Sequence, residues 1–166
     1  MLRILTALAL LVTPALAQEP LKENATVAFF GVVLLDTSAE AAFFGSEAEL
    51  ERIKLIEQYV RDYLIDEGLE LVDTSSVHEE INRQANFADC NGCEVLAAQK
   101  LGVDYVLVGE VQKVSTLIQS MNLVLRDAET GVMVRGQSVD IRNNSDEAWT
   151  RGARYILKNN FFREPK

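Results

Sequence analysis

LGVDYVLVGEVQKVSTLIQSMNLVLRDAETG, residues 101–131, holds two strands and the turn that leads to a third. Val103 to Ser115 is dense in β-branched and aliphatic residues and free of proline, as a strand interior requires. In Thr116 to Arg126, Leu117, Met121, Leu123 and Leu125 share one parity, the period-two mark of a strand with a buried face. Asp127-Ala-Glu-Thr-Gly131 reads as a short hairpin turn closed by glycine. Val132 to Asn143 is then the third strand. Its apolar residues move from even parity (Val132, Val134) to odd (Val139, Ile141), so a bulge is expected near Gly136.

Upstream, Val27 to Leu35 is a continuous apolar run of strand length, the pattern of a strand buried on both faces. Residues 36–46 are expected to form a loop carrying Phe43, Phe44 and Gly45. Ser46 and Glu49 fit a capping box, after which Ile53, Ile56, Val60, Tyr63 and Leu64 recur at helical spacing until Gly68. Leu69 to Val72 is a short strand. Ser76 and Glu79 repeat the capping pattern ahead of Val77, Ile81 and Ala85, and a third helix spans roughly residues 92–101. Asn144 with Glu147 caps a last helix bearing Trp149, Ala153, Ile156 and Leu157. The order β-α-β-α-α-β-β-β-α predicts an α/β (α+β) fold with a single mixed sheet of about five strands and helices packed on it.

The first seventeen residues read as a secretory leader: Met1-Leu2-Arg3, an apolar run from Ile4 to Val12, and Ala15-Leu16-Ala17 as a small-x-small cleavage site. The expected organisation is a signal peptide over 1–17 cut after Ala17, a polar lead-in over 18–26 and a single domain over 27–166, placed in the periplasm. Charge narrows the partners. With 25 acidic residues against 16 basic ones, and Arg3 lost with the leader, the surface repels nucleic acid and anionic lipid. Stable membrane insertion is not expected of a chain whose longest mature apolar run is strand-sized.

The Leu101–Gly131 run is similar to the N-terminal domain of the TolB translocation protein and its relatives in the curli-secretion CsgG and penicillin-binding-protein-activator families. The shared features are the "LGVDYVLVGEV" strand entry, the alternating second strand and the "DAETG" hairpin. At finer grain the chain resembles a bacterial family of predicted secreted proteins without established function. Cys90-Asn-Gly-Cys93-Glu94, Val108 to Ser115, Ser138 to Arg142 and Asp146 to Trp149 carry that likeness. The resemblance implies a TolB N-terminal-domain-like fold and an envelope compartment. The chain departs from it in lacking a propeller and a lipidated cysteine.

Cys90 and Cys93 are the one pair with reactive potential. In an oxidising compartment they form a short-loop disulfide, or a redox pair with Cys93 in the first turn of a helix that favours its thiolate. A thioredoxin site wants a nearby cis-proline, and the mature prolines are Pro20 and Pro165. Haem attachment wants histidine where Glu94 stands, and zinc wants four ligands, beyond what the pair with His78 and Asp89 comfortably supplies. No nucleophile elbow or phosphate loop occurs, and Glu47, Glu49 and Glu51 read as acids favoured by a helix N-terminus. No catalytic residue, metal or cofactor is therefore expected. Surfaces are the better candidates: Phe43 and Phe44, either one exposed as an anchor or both tucked against the sheet, and Arg126, Arg135 and Arg142 with Asp140 as a strip on the hairpin. An unpaired sheet edge could also take a partner strand, but spacing does not say which strand is outermost. The expected function is a non-catalytic binding or assembly-accessory module that contacts another envelope or periplasmic protein. A thiol-redox or metal-handling role for Cys90 and Cys93 is the alternative.

Overall fold

The computed structural model describes residues 19–163, so the expected leader lies outside the described residues. Five strands form one mixed sheet: β1 (Thr26–Asp36), β2 (Glu70–Leu71), β3 (Tyr105–Ser115), β4 (Ile118–Asp127) and β5 (Met133–Ile141), in the spatial order β2-β1-β3-β4-β5. β1 pairs in parallel with β2 and β3, while β3, β4 and β5 form an antiparallel meander. The helices are α1 (Ala41–Phe44), α2 (Glu47–Asp66), α3 (His78–Asn82), α4 (Cys93–Leu101) and α5 (Asp146–Ile156).

The run from Val27 to Leu35 is buried on both faces because both faces are covered. Val27 and Phe29 pack under α2 and α5 with Ile56, Leu64, Leu107, Leu123 and Trp149, while Ala28 and Phe30 meet the α4 side with Val95, Ala98 and Val106. A bulge between Phe29 and Val32 keeps both of those residues on the α2 side. It is held by Gly31 at φ +95° and by the Val32 N–H, which donates to Glu57 Oε1 of α2 at 2.8 Å. That φ is one L side chains rarely adopt, which favours glycine there, and a Cβ would also push the Glu57 carboxylate off its bond to Val32 N.

The hairpin is built as the sequence predicts. Asp127 Oδ1 accepts from Thr130 N and Oγ1, both at 2.8 Å, and Gly131 takes φ +72°. The bulge in the last strand lies at Val134 rather than at Gly136: Leu125 faces Arg135 while Arg126 faces Met133. That one-residue insertion puts Arg135 on the core face, where it is buried. Its guanidinium donates to the carbonyls of Phe161 at 3.1 Å, Val134 at 2.7 Å and Glu19, tying β5 to the π-helical turn Leu157–Phe161 and to the lead-in.

All three capping assignments need correction. Ser46 is at the start of α2, but its hydroxyl donates to Asp36 rather than capping the helix. The second helix is shorter than expected, His78–Asn82 behind a 3₁₀ turn over Ser75–Val77, with Ala85 exposed beyond it. Asp73, not Ser76, receives the Ser75 N–H and hydroxyl at that turn. The cap of α5 is Ser145, whose Oγ accepts from Ala148 N at 3.3 Å, which leaves Asn144 free for another task.

Candidate functional site

At the carboxyl ends of β1 and β3 the sheet closes on three charged side chains. Asp36 ends β1, Lys113 lies near the end of β3, and Glu49 comes from the first turn of α2. Lys113 Nζ lies 3.2 Å from Asp36 Oδ2 and 3.0 Å from Glu49 Oε1, and the three side chains are only 5%, 6% and 7% exposed for Lys113, Asp36 and Glu49. Asp36 also accepts from Ser38 N at 3.0 Å, Ser38 Oγ at 2.6 Å and Ser46 Oγ at 2.7 Å. Glu49 Oε1 accepts from Asn144 Nδ2, and Arg52 bridges Asn144 Oδ1 at 3.2 Å to Asp146 Oδ1 at 2.9 Å. Loop, strand, helix and the β5–α5 connection therefore meet in one hydrogen-bonded knot.

Burial by itself would push the Asp36 carboxyl up, but the bonds from Ser38, Ser46 and Lys113 outweigh it and hold it at about 2. Burial likewise opposes the charge on Glu49, and the bonds from Lys113 and Asn144 bring it below the usual carboxylate range. Burial opposes the charge on Lys113 too, and its two carboxylate partners raise it above the ordinary lysine value. A carboxyl depressed in the folded state contributes stability above its unfolded value and loses it as pH falls through the folded one. The free energy of urea unfolding is thus expected to drop between about pH 4 and pH 2, by about 2 kcal/mol from Asp36. In Asp36→Asn that acid-side drop is expected to be shallower, and an unchanged acid slope would count against the knot as its source.

In front of the knot stands the segment expected to be a loop. Four of its residues, Ala41–Phe44, form the helical turn α1, and Phe43 and Phe44 are both exposed, 81% and 82%, against the expectation that at most one would be. Their rings sit 6.4 Å apart at 54° and form one apolar knob. The turn is held from behind: Thr37 N donates to Lys113 O at 2.8 Å and Thr116 Oγ1 donates to Glu40 Oε1 at 3.2 Å. The β3–β4 turn beside it leaves Leu117 and Ile118 exposed as well. Leu117, in phase with the buried Met121, sits past the strand end and so misses the core.

The remaining site candidates do not converge. Cys90 and Cys93 are joined as a disulfide at the entrance to α4, so neither presents a thiolate to the neighbouring Glu94, whose carboxylate lies 3.2 Å from Arg126 Nε. Arg126 is thus on the α4 side of the sheet and Arg135 is in the core of the other side, so the expected arginine strip is not formed. Arg142 is exposed past the end of β5, Asp140 is exposed near it, and His78 is exposed on α3. The buried knot escaped the sequence reading, although Lys113 is in phase with Leu107 and Val111, and Glu49 with Ile53 and Ile56.

A five-stranded mixed sheet, covered by helices on both faces and ending in a buttressed aromatic turn, defines a small mixed α/β module. The chain belongs to the family described as Protein of unknown function (DUF2380), which it matches over residues 25–161. Its fold is similar to that of the LpoB C-terminal domain from Salmonella enterica, with a TM-score of 0.52 at 13% identity, over 74% of this chain and 86% of that one. Lipoprotein GNA1162 from Neisseria meningitidis gives 0.46 at 22% identity over 74% and 83% of the two chains. No curated protein matches the chain.

Proposed function

We propose that this chain is a non-catalytic binding or assembly-accessory module of the bacterial periplasm, exported by residues 1–17 and acting by protein–protein contact. The kinship to TolB-like and CsgG-like domains read from the "LGVDYVLVGEV" and "DAETG" segments belongs to the same proposal. One observation carries it: two adjacent phenylalanines are held out in water on a turn fixed by a buried ionic knot. Large exposed aromatics on a braced element are what interface anchors look like, since little ordering entropy remains to be lost on binding. The net charge of −9 favours a protein cleft over an anionic lipid surface. Among the described residues no helix is long and apolar enough to cross a membrane.

The test is a photo-crosslinking residue at position 42, an exposed alanine beside the two rings, in cells that export the protein. It is expected to give a discrete adduct, lost in the Phe43→Ser/Phe44→Ser variant. Aromatic anchors contribute about 2 kcal/mol or more each, so the double variant should weaken the complex at least about a hundredfold. Its melting temperature should hardly change, because neither ring is in the core. A uniform smear of adducts, or an adduct indifferent to the substitutions, would remove the support for this surface.

A further inference from the structure

The two edges of the sheet are unlike. β2 is two residues long, whereas β5 runs nine residues and pairs on one side only, with β4. Exposed edges are normally blunted by shortness, bulges, lysine or proline. β5 has such protection only at its beginning, where the Val134 bulge and the buried Arg135 lie. From Gly136 to Ile141 there is no proline, lysine or bulge, and among the described residues no backbone bond outside the strand ladder reaches this stretch. Asp127 N donates to Val132 O, so the odd residues of β4 face β5 and Asn122, the partner of Ser138, does not. The Ser138 peptide groups therefore face the open edge, where the carbonyl accepts from the side chain of Gln137 at 2.8 Å.

A groove of about 650 Å³ runs between this edge and α5, with Val139 and Ile141 on one wall and Gly152 and Tyr155 on the other. Gly152 lets the helix come close: a Cβ there would stand 3.3 Å from Ile141 and 3.4 Å from Val139. Past Ile141 the groove continues into a hollow of about 400 Å³ that reaches Leu117 and Ile118. Its charge differs from the rest of the molecule. Arg142 and Arg151 line it against Asp140 alone, on a chain of net charge −9. Arg142 has no carboxylate partner among the described residues, and Arg151 has only the exposed Glu147 at 3.0 Å.

We propose that the β5 edge accepts an extended segment of a partner protein as a sixth strand, apolar at alternate positions toward Tyr155 and acidic beside Arg142. Main-chain bonds to Gly136–Ile141 supply the grip, and the groove and the two arginines supply the choice of sequence. A second copy of this chain fits less well, because it would bring its own Arg142 and Arg151 to the same groove. The proposal rests on the reading of this protein as a contact module but uses a surface separate from the Phe43–Phe44 knob, so the two can fail independently.

A phage-displayed library of random dodecapeptides panned on the purified protein tests it, followed by titration of the ¹⁵N-labelled protein with a selected peptide. The expected peptides alternate apolar and polar residues with at least one acid, and shift the amide signals of residues 136–142. Ser138→Pro removes an outward N–H, and Arg142→Glu reverses the charge; each is expected to weaken binding at least about tenfold. Arg142→Lys should stay within about threefold, and Phe43→Ser/Phe44→Ser should bind as the parent does. The proposal is overturned by failure to enrich any peptide, by shifts confined to another surface, by indifference to Arg142→Glu, or by a dimer in sedimentation that protects the 136–142 amides.

Discussion

Lys113→Met is expected to destabilise the protein by about 3–5 kcal/mol, the cost of leaving buried charge without its partner. The ammonium lies between Asp36 and Glu49, and its loss leaves two carboxylates facing one another with side chains 6% and 7% exposed. Hydrogen bonds from Ser38, Ser46 and Asn144 remain, but they do not cancel the repulsion. Urea unfolding followed by Trp149 fluorescence reads the loss. For a domain of this size the melting temperature should fall by about 10 °C. The companion variant Asp36→Asn/Glu49→Gln/Lys113→Met is expected to recover much of the loss, because no charge is then held out of water. A loss under about 1 kcal/mol for Lys113→Met would mark the knot as solvent-screened, the behaviour of a surface pair. The consequence for function is local: α1 and its two phenylalanines are anchored through Asp36, Ser38 and Ser46, so breaking the knot should also blunt binding at the knob.

The parts of this fold that could be read in advance are those written in local periodicity. Val27–Leu35, the alternation in Ile118–Asp127 and the Asp127–Gly131 turn each carry their structure in adjacent residues. The knot is not local in that sense. Lys113 and Asp36 are 77 positions apart, and only the sheet register places β1 beside β3. Parity did mark the residues, since Lys113, Glu49 and Gln119 all occupy apolar phases of their elements and are all buried. A polar residue in an apolar phase says that a partner exists without saying which. The Ser46/Glu49 capping box did not form because the bond to Asp36 turns the Ser46 hydroxyl away from the helix and Lys113 and Asn144 take the Glu49 carboxylate. Arg135 shows the sensitivity of a strand to one inserted residue: the Val134 bulge turned an expected surface arginine into the core. The exposure of both Phe43 and Phe44 depended on four residues forming a turn of helix, a choice made by tertiary anchoring rather than by propensity.

Trp149→Ala is expected to cost about 3–5 kcal/mol, the range for deleting a large ring from a packed core. Trp149 is wholly buried on α5 in the cluster with Ile56, Leu123 and Ile141, where α5 meets both α2 and the sheet. The surrounding side chains come from three elements fixed by the β4–β5 ladder, the Ser145 cap and the Arg52–Asp146 pair, so collapse into the vacated space is limited. Trp149→Phe separates ring volume from polarity. The indole N–H meets no acceptor among the described protein atoms, so phenylalanine gives up no protein hydrogen bond and leaves a smaller hole. Its expected cost is about 1 kcal/mol. Equal losses for Ala and Phe, measured by urea unfolding followed by circular dichroism, would mean that the N–H holds a bond of its own. A loss near zero for Ala would mean that α5 does not depend on this ring. Because the same helix forms one wall of the β5 groove, Trp149→Ala should also raise amide exchange along Ala148–Tyr155 and weaken strand capture, whereas Trp149→Phe should leave both near the parent values.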